Sequence, residues 1–325
     1  MAAPDADWLT YQTLYISPQG RIIDTGNGRI SHSEGQGTGM LLAVHYKDRA
    51  AFDRIWNWTR INLQVRDDRL LAWKWAPGDP AGGLLDRNTA TDGDLLAAWA
   101  LARATRLWGE ARYLQAAREI SRDIRAKLCR ETSRGLVFLP GEQGFVNQDT
   151  VTVNLSYWVF PALRDIERID PAPEWQRLKD SGLDLLRAGR FGRWQLPPDW
   201  LRLADKLEIA PEFKPRFGYD AVRVPLYLIW AGLGTPDNLR PFNDFWGYFA
   251  GAHFVPAWCA LNDDSIDSNN ASTGIQAIVS LVRVQATTGG KKRSPALPRL
   301  GTGEDYYSAS LLLLAKMAAL ENKLK

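Results

Sequence analysis

Paired helix patterns recur along this chain and constrain its fold more than any other feature. In each pair an almost wholly apolar stretch starts with small polar, acidic or aromatic residues, as in residues 34–44, 92–102 and 220–228. An amphipathic stretch rich in Arg, Lys and Glu then follows as the second helix of the pair, as in residues 112–128 and 174–188. Helices that are apolar all round are buried, whereas helices with one charged face lie outside. The pattern therefore predicts an all-α fold of eleven or twelve helices, an α/α barrel with an inner and an outer ring.

The sequence shows no internal division. Its 325 residues contain no low-complexity linker, so we expect one domain over residues 1–325, with short extended segments confined to loops. Residues 152–158 are expected to open one of the apolar helices.

Charge and hydropathy narrow the choice of partners. The formal net charge is +3, and Lys, Arg, Asp and Glu are interspersed, which argues against nucleic acid as a partner. No run reaches the ~18 apolar residues of a membrane span, so we expect no span. The first five residues lack the basic and apolar regions of a secretion signal, and we expect a mature N-terminus behind an initiator Met.

Metal binding is not indicated by the sequence. Cys129 and Cys259 are too few for a zinc site, and His32, His45 and His253 show no ligand spacing. We therefore expect neither a metal nor another cofactor. Both cysteines lie in apolar contexts and are interpreted as free buried thiols, although a disulfide between them stays open.

The segment around Glu34 is an unusual helix start. Gly35, Gly37 and Gly39 follow the carboxylate, and an apolar run begins directly after them. Because glycine costs roughly 1 kcal/mol relative to alanine within a helix, these glycines indicate a close approach of the backbone to a neighbouring helix or to a ligand. We interpret Glu34 as a functional acid and expect the glycines to lie beside its substrate. A carboxylate that only favours the positive end of the helix dipole is the alternative.

The starts of the inner helices should meet at one end of such a barrel. This places five residues in one cleft: Glu34, Asp92, Tyr157, Asp220 and Tyr306. Carboxylates in an aromatic cleft suit hydrolysis of a glycosidic bond, because one acid protonates the leaving oxygen and one carboxylate activates water or attacks the sugar. A helix start lowers the pKa of an acid, so a proton donor needs a nearby carboxylate that raises it. Asp92 is the candidate neighbour of Glu34.

Five motifs strengthen this interpretation. They occur in order along nearly the whole chain, at residues 33–40 (SEGQGTGM), 90–94 (ATDGD), 154–157 (NLSY), 197–200 (PPDW) and 219–225 (YDAVRVP). On these motifs the chain resembles glycoside hydrolase family 8, and within it the periplasmic or secreted endo-β-1,4-glucanases encoded with bacterial cellulose synthase. The resemblance implies an (α/α)6 barrel of six inner and six outer helices, an inverting mechanism and an open cleft for a β-1,4-linked glucan.

The resemblance also implies roles for three acids. Glu34 matches the family's general acid, Asp220 matches the general base, and Asp92 matches the acid that binds the sugar at the cleavage point and helps to distort its ring. In an inverting enzyme the carboxyl groups of Glu34 and Asp220 should lie ~6.5 to 9.5 Å apart, which leaves room for the attacking water.

Four aromatic residues are further candidates for substrate binding. Trp73 or Trp75 is expected to stack on a sugar ring, although a core position is about equally well supported for either one. Tyr157 and Tyr219 are candidates for hydrogen bonds to the sugar or to the attacking water.

Other polar residues near these motifs have plainer interpretations. Arg223 can orient the general base, but a structural ion pair is the preferred interpretation. His32 is interpreted as a hydrogen-bonded scaffold residue. Asp94, Asp199 and Asp305 are interpreted as helix caps or solvent-facing acids.

The predicted function is endo-acting hydrolysis of β-1,4-glucan during cellulose export. Expected partners are the glucan substrate and, functionally, the cellulose synthase machinery, and we expect a periplasmic or secreted monomer. Two alternatives stay open. The same machinery could hydrolyse chitosan or mixed-linkage β-glucan, or the chain could be a non-catalytic polysaccharide-binding scaffold.

Overall fold

Helices account for most of the regular structure. The computed structural model describes residues 5–78, 83–287 and 295–322, and these carry eleven α-helices. The helices are α1 (Ala6–Tyr15), α2 (Ser33–His45), α3 (Arg49–Asn62), α4 (Thr91–Trp108), α5 (Ala111–Lys127), α6 (Phe160–Ile169), α7 (Pro173–Ala188), α8 (Arg223–Trp230), α9 (Pro236–Tyr248), α10 (Thr273–Thr287) and α11 (Tyr306–Glu321).

Short antiparallel strands lie in the connections between these helices. The strands are β1 (Ser31–His32), β2 (Ala72–Ala76), β3 (Gly83–Thr89), β4 (Cys129–Thr132), β5 (Gly135–Phe138), β6 (Val146–Asn147), β7 (Thr150–Val153), β8 (Leu201–Leu203), β9 (Leu207–Ile209), β10 (Arg216–Phe217) and β11 (Cys259–Ala260). They pair as β1-β2-β3, β4-β5, β6-β7-β8-β9 and β10-β11. The expectation of short extended segments within loops is confirmed.

Six of the helices form a closed inner ring. Successive neighbours contact each other in the order α2, α4, α6, α8, α10, α11 and back to α2. Around this ring, α3 packs on α2, α5 on α4, α7 on α6, α9 on α8 and α10, and α1 on α11. The predicted (α/α)6 barrel is confirmed. In the described part of the chain five outer helices accompany the six inner ones, and residues 295–305 before α11 are irregular.

Side-chain composition explains which helices lie inside. Almost every residue of α2 and α11 is buried, because these helices carry apolar or small residues on all sides. In α5 one row of residues is buried, represented by Tyr113, Ala117, Ile120 and Ile124, while the remaining faces carry charged residues. Burial of the inner helices on all faces is what the sequence pattern predicts.

One predicted helix start is wrong. Residues 152–158 were expected to open an apolar helix, but Thr150–Val153 form strand β7, Leu155–Tyr157 form a 3-10 turn, and α6 begins only at Phe160. The β-branched run Val151-Thr152-Val153 favours a strand. Pro161 fits the first turn of a helix, where its missing N–H costs nothing, so it favours a start near Phe160. As a result, residues 154–157 form a short segment that packs beside α8, and they do not belong to an α-helix.

Candidate active site

A single buried arginine gathers the carboxylates at one end of the barrel. Arg223 is the first residue of α8, and only 3% of its side chain is exposed. Its Nη1 lies 2.7 Å from Glu34 Oε1 and 3.2 Å from Asp92 Oδ2. Its Nη2 lies 2.9 Å from Asp220 Oδ1 and donates to Ser156 Oγ at 2.9 Å. One guanidinium therefore faces three carboxylates, and ionisation of all three would leave a net negative charge in the cleft.

Glu34 enters the cleft from the first turn of α2. The N-cap of this helix is His32, whose Nδ1 accepts a hydrogen bond from Gly35 N at 3.0 Å. The other ring nitrogen, Nε2, lies 3.3 Å from Asp24 Oδ2. Burial opposes the charged form of His32, but Asp24 and Glu34 outweigh it and raise the pKa of the imidazole. The interpretation of His32 as a scaffold residue is confirmed, because both its nitrogens serve to hold the helix start.

The glycines after Glu34 pack against neighbouring elements of the protein, while the expectation that they also lie beside the substrate stays a prediction. A Cβ atom at Gly37 would come within 2.6 Å of Leu96 Cβ in α4. At Gly39 it would come within 2.5 Å of Ile22 Cδ1, and at Gly35 within 3.1 Å of the Tyr306 hydroxyl. The approach of α4 is too close for a side chain at Gly37, whereas Gly35 and Gly39 face side-chain atoms that leave little space.

Asp92 lies beneath Glu34 at the start of α4. It is 1% exposed, and its Oδ1 accepts from Gly93 N at 2.8 Å. Burial, together with repulsion from Glu34, raises the pKa of Asp92 to about 7, against the opposing effect of Arg223. Because Glu34 and Asp92 contact the same Nη1, the predicted proximity of these two carboxylates is present in the structure.

Asp220 faces the other amino nitrogen of Arg223 from the turn before α8. About a third of its side chain, 32%, is exposed at the cleft. Burial of the rest raises the pKa of Asp220 above its ordinary value, and the negative charges of Asp199 and Glu34 act in the same direction. Arg223 opposes this rise. Asp220 is thus a carboxylate that water can reach and that is held by one fixed cation.

Arg223 has more contacts than a plain structural ion pair. It binds three carboxylates that come from α2, α4 and the turn before α8. The ring of Tyr157 lies on it as well, with the guanidinium carbon 5.9 Å from the ring centroid. The predicted gathering of the helix starts at one end also includes Tyr306, which contacts His32 edge to face at 5.6 Å.

Trp73 and Trp75 lie on β2, which pairs with the strand that leads into α2. Ser31 is the partner of Trp75 in this pairing. Trp75 is half-buried against Trp58, with ring centroids 5.3 Å apart. Trp73 is half-buried as well, and it donates its indole N–H to Asp86 Oδ2 at 2.7 Å. Of the two tryptophans, Trp75 is the one that packs on a core tryptophan.

Tyr219 is exposed beside the cleft. Its side chain is 42% exposed, and the guanidinium of Arg216 lies 5.2 Å from its ring. Tyr307 contacts it edge to face at 5.9 Å and donates its hydroxyl to the Tyr219 carbonyl oxygen. Tyr219 therefore presents a ring whose position is fixed by two neighbours.

Several residues of the site escaped the sequence interpretation. Ser156 and Tyr307 contact the central residues, yet neither residue type has a characteristic chemical pattern in sequence. Asn154 accepts from Ser156 N at 3.0 Å and Ser156 Oγ at 2.7 Å. The motif at residues 154–157 marked this segment, but only the 3-10 turn shows that Ser156 points to Arg223.

The three aspartates interpreted as caps or solvent-facing acids differ from one another. Asp305 caps α11 and accepts from Ser308 N at 2.7 Å, as predicted. Asp94 is 0% exposed and Asp199 is 4% exposed, so neither faces solvent; Asp94 lies inside the first turn of α4 without capping it, and Asp199 lies in the bend before β8, so that interpretation is wrong for both. Each accepts backbone hydrogen bonds from a distant segment instead, Asp94 from Leu71 N and Asp199 from Ala221 N.

Other functional features are limited in the described residues. Within residues 5–78, 83–287 and 295–322, no cluster of three or more His, Cys, Asp or Glu side chains could hold a metal ion. Cys129 is half-buried and Cys259 is buried, and both are free thiols. Over the same ranges, no helix has both the length and the apolar character that are needed to cross a membrane.

Comparison with known proteins finds relatives that match nearly the whole chain. A protein from Novacetimonas hansenii described as a probable endoglucanase is 41% identical, over 99% of this chain and 94% of that protein. The crystal structure of the endo-β-1,4-glucanase CMCax from Acetobacter xylinum has a TM-score of 0.90 at 40% identity, covering 99% of this chain and 100% of that one. An endoglucanase structure from Komagataeibacter sucrofermentans has a TM-score of 0.89 at 43% identity, covering 97% of each chain.

The family assignment follows from a match over almost the full length. The model of the family described as glycosyl hydrolases family 8 matches residues 1–321, which include all five sequence motifs and every residue that contacts Arg223. The chain belongs to glycosyl hydrolase family 8.

Proposed function

We propose that this chain is an inverting endo-β-1,4-glucanase in which Glu34 is the general acid and Asp220 is the general base. The observation that carries the proposal is the single buried guanidinium of Arg223, which holds Glu34 and Asp92 on one amino nitrogen and Asp220 on the other. Two carboxylates with different neighbours can take different protonation states, and an acid and a base for glycoside hydrolysis need that difference.

Glu34 is the better placed of the two paired acids to protonate the leaving oxygen. Its side chain is 28% exposed at the cleft, whereas that of Asp92 is 2% exposed. Because the pKa of Asp92 is raised to about 7, the pair retains a proton at mildly acidic pH. A proton held at this pair is what the departing glycosidic oxygen requires.

Asp220 serves as the base on the opposite side of Arg223. Its carboxylate is accessible and takes a proton from a water molecule, which then attacks the anomeric carbon. Arg223 keeps the base and the acid on separate nitrogens, so that water and sugar can lie between them. Asp92 binds a hydroxyl of the sugar at the cleavage point.

Aromatic residues bind the rest of the glucan in this proposal. Trp73 and Tyr219 offer partly exposed rings on which apolar sugar faces stack. Tyr157 lies against Arg223 and directs its hydroxyl toward the sugar or the attacking water. Trp75 supports the hairpin from its packed position on Trp58.

β-1,4-Glucan is the preferred substrate because relatives at 36–41% identity are described as endoglucanases. The structure at 40% identity is described as an endo-β-1,4-glucanase. Chitosan and mixed-linkage β-glucan are the alternative substrates of the same site. The complete set of contacts around Arg223 makes a non-catalytic scaffold the weaker alternative.

Release of reducing ends from carboxymethyl cellulose tests the activity. Glu34→Gln and Asp220→Asn should each lower the rate by at least about 10³-fold. The exposed Asp184 on α7, whose side chain is 74% exposed, gives the control variant Asp184→Asn, which should keep the wild-type rate. An inactive wild type, or full activity in both site variants, contradicts the proposal.

Two further assays refine the activity. NMR of fresh cello-oligosaccharide products should show the α-anomer first, because an inverting enzyme reverses the β configuration. Rates on chitosan and mixed-linkage glucan beside those on carboxymethyl cellulose rank the substrates.

The cellular setting is also a proposal. The single domain over residues 1–325 acts as a periplasmic or secreted monomer that trims glucan made by the cellulose synthase machinery. The motif resemblance to endoglucanases encoded with that synthase supports this. Light scattering of the purified protein gives its oligomeric state, and fractionation of the native host gives its compartment.

A further inference from the structure

Asp199 binds the backbone of the turn that presents Asp220. It is 4% exposed, and its Oδ1 accepts hydrogen bonds from three main-chain groups: Gly218 N at 2.9 Å, Asp220 N at 3.2 Å and Ala221 N at 2.9 Å. Its Oδ2 accepts from Arg216 Nε at 3.2 Å. Burial raises the pKa of Asp199, and the four donors on its two oxygens oppose that rise and favour the ionised carboxylate.

The turn before α8 needs such an acceptor. The first N–H groups of α8 are paired within the turn itself, since Val222 N donates to the Gly218 carbonyl oxygen and Arg223 N donates to that of Asp220. The N–H groups of Gly218, Asp220 and Ala221 come before the helix, and leaving such groups buried and unpaired costs free energy. Asp199 accepts from these three N–H groups from 19 to 22 residues earlier in the chain, so the position of Asp220 depends on a segment outside its own turn.

A small sheet fixes Asp199 in place. Asp199 lies just before β8, and Leu201 in that strand is the antiparallel partner of Val153 at the end of β7. Asn154 follows Val153 and opens the segment of residues 154–157, which contacts Arg223 through Ser156. The pairing of β7 with β8 therefore positions both the segment that contacts Arg223 and the Asp199 carboxylate that binds the turn of Asp220.

The space around this contact is full. A Cβ atom at Gly218 would lie 2.8 Å from Asp199 Oδ2 and 2.7 Å from Arg216 Nε. The main-chain N–H of Asp199 also donates to the Arg216 carbonyl oxygen at 2.8 Å. Asp199 is thus bound to the segment 216–221 through both its main-chain N–H and its carboxylate, so a shift of one moves the other.

We infer that Asp199 is a positioning residue for the general base: it fixes the main chain at Asp220 and places a second negative charge behind that carboxylate. The inference rests on the proposed role of Asp220 as the base. Asp199 does not touch the reacting atoms, and it acts through the three N–H groups and through its charge.

The charge should set the pH dependence of the base. The groups that act on Asp220 are Arg223 in α8, Glu34 in α2, Asp92 in α4, Asn154 and Tyr157 after β7, Tyr307 in α11 and Asp199 before β8. Burial is the largest cause of the raised pKa of Asp220, and the charge of Asp199 adds to it. Removing that charge lowers the pKa, so Asp220 stays deprotonated to lower pH. The acid limb of the pH profile should then move to lower pH.

Asp199→Asn separates charge from hydrogen bonding. The amide keeps an acceptor oxygen for the three N–H groups, and Arg216, with a side chain 26% exposed, can turn away. We expect the acid limb of kcat/KM on a cello-oligosaccharide to move down by about one pH unit, since a neighbouring like charge shifts a pKa by that order. KM should change less than about twofold, because Asp199 does not bind sugar.

Asp199→Ala removes the acceptor as well. Freed N–H groups let the turn relax, and a displaced base should lower kcat by about 10²-fold with little change in KM. The matched control is Asp170→Asn. Asp170 is also buried, 7% exposed, and accepts from Arg125 Nε at 2.8 Å away from the cleft. It should lose thermal stability but keep the wild-type pH profile.

The outcomes separate the two proposals. An acid limb that does not move in Asp199→Asn, or a kcat within twofold of wild type in Asp199→Ala that is folded by circular dichroism, overturns the positioning role. If Asp199→Ala does not fold, the profile of Asp199→Asn decides alone. Activity retained by Asp220→Asn would instead overturn the role of Asp220. An inactive Asp220→Asn with an unshifted Asp199→Asn leaves the base assigned and removes only the inference about Asp199.

Discussion

Two aspartates in the first turn of α4, Asp92 and Asp94, lie on opposite sides of the same helix start. Both are buried, and burial is the main cause that raises the pKa of Asp92 to about 7 and that of Asp94 to about 8. Asp92 faces Glu34 and the guanidinium of Arg223 in the cleft. Asp94 accepts from Leu71 N at 2.8 Å and is hydrogen-bonded to the Thr89 hydroxyl. Burial alone therefore does not mark a catalytic acid. What differs is the contacts: Asp92, on the cleft side of the helix start, contacts charged groups, whereas Asp94, on the supporting side, is hydrogen-bonded to neutral groups.

The largest effect should come from removing the cation that defines the cleft side. Arg223→Ala leaves Glu34, Asp92 and Asp220 without their shared partner, so we expect a loss of activity of at least about 10³-fold and a destabilisation of about 3–5 kcal/mol. Arg223→Lys keeps the charge but lacks the planar fork that serves two nitrogens at once, and should recover stability better than activity. Urea unfolding and reducing-end assays measure the two effects. Near-normal activity in Arg223→Ala would contradict the view that contact with Arg223 distinguishes Asp92 from Asp94.

The paired variants Asp92→Asn and Asp94→Asn test the comparison directly. Asp92→Asn should lower kcat/KM by about 10² to 10⁴-fold, because it removes a sugar-binding carboxylate and the repulsion that keeps a proton at the pair. Asp94→Asn should keep activity within about threefold, since an amide oxygen can still accept from Leu71 N. Kinetics on cello-oligosaccharides give both values. A larger loss for Asp94→Asn than for Asp92→Asn contradicts our assignment of the two sides.

The barrel could be predicted from sequence because its signal is distributed. Many apolar and amphipathic stretches repeat the same information, so a wrong start at residues 152–158 did not change the predicted architecture. The acids Glu34, Asp92 and Asp220 were marked by their motifs. Their gathering in one cleft was predicted as well, but their common contact with Arg223 was not, because the sequence pattern does not show which carboxylates one guanidinium reaches.

Long-range acceptors explain the remaining errors. Asp94 and Asp199 each follow the sequence pattern of a cap or a surface acid, yet Asp94 accepts from Leu71 N, 23 residues away, and Asp199 accepts from Ala221 N, 22 residues away. From sequence, the glycines after Glu34 could equally serve a ligand or a neighbouring helix, and the proximity of Leu96 to Gly37 shows the contact with a neighbouring helix. Local patterns state what a residue can do, whereas the partner depends on the fold.

A pH-dependent stability should distinguish Asp94 from its neighbours. Its folded pKa of about 8 lies above the ordinary value of 3.8, so the folded state binds a proton that the unfolded state has lost between these values. The stability that the proton provides is full below pH 3.8 and is lost as pH rises to about 8, at a slope of about 1 kcal/mol per unit for one such group. Asp94→Asn removes this contribution.

The test of that slope is a set of urea midpoints from pH 5 to 8. Wild type should lose stability over this range more steeply than Asp94→Asn, while Asp92 and Asp220 contribute to both proteins alike. Equal slopes would show that Asp94 is not protonated in the folded protein.

The smallest expected effects on stability and KM distinguish Trp73 from Trp75 in the β2-β3 hairpin. Asp94 binds this hairpin through Leu71 N and the Thr89 hydroxyl. Trp75→Ala should cost about 2 kcal/mol of folding stability, because Trp75 packs on Trp58 and borders a small buried cluster. Trp73→Ala should cost less, about 1 kcal/mol, since Trp73 does not pack on that cluster and its indole bonds to the exposed Asp86. If Trp73 stacks on sugar, its loss should raise KM about two- to tenfold with kcat unchanged, because one aromatic contact is worth about 0.5–1.5 kcal/mol. Thermal melts and KM values for both variants assign each role. An unchanged KM in Trp73→Ala together with a raised KM in a stable Trp75→Ala would exchange the two roles.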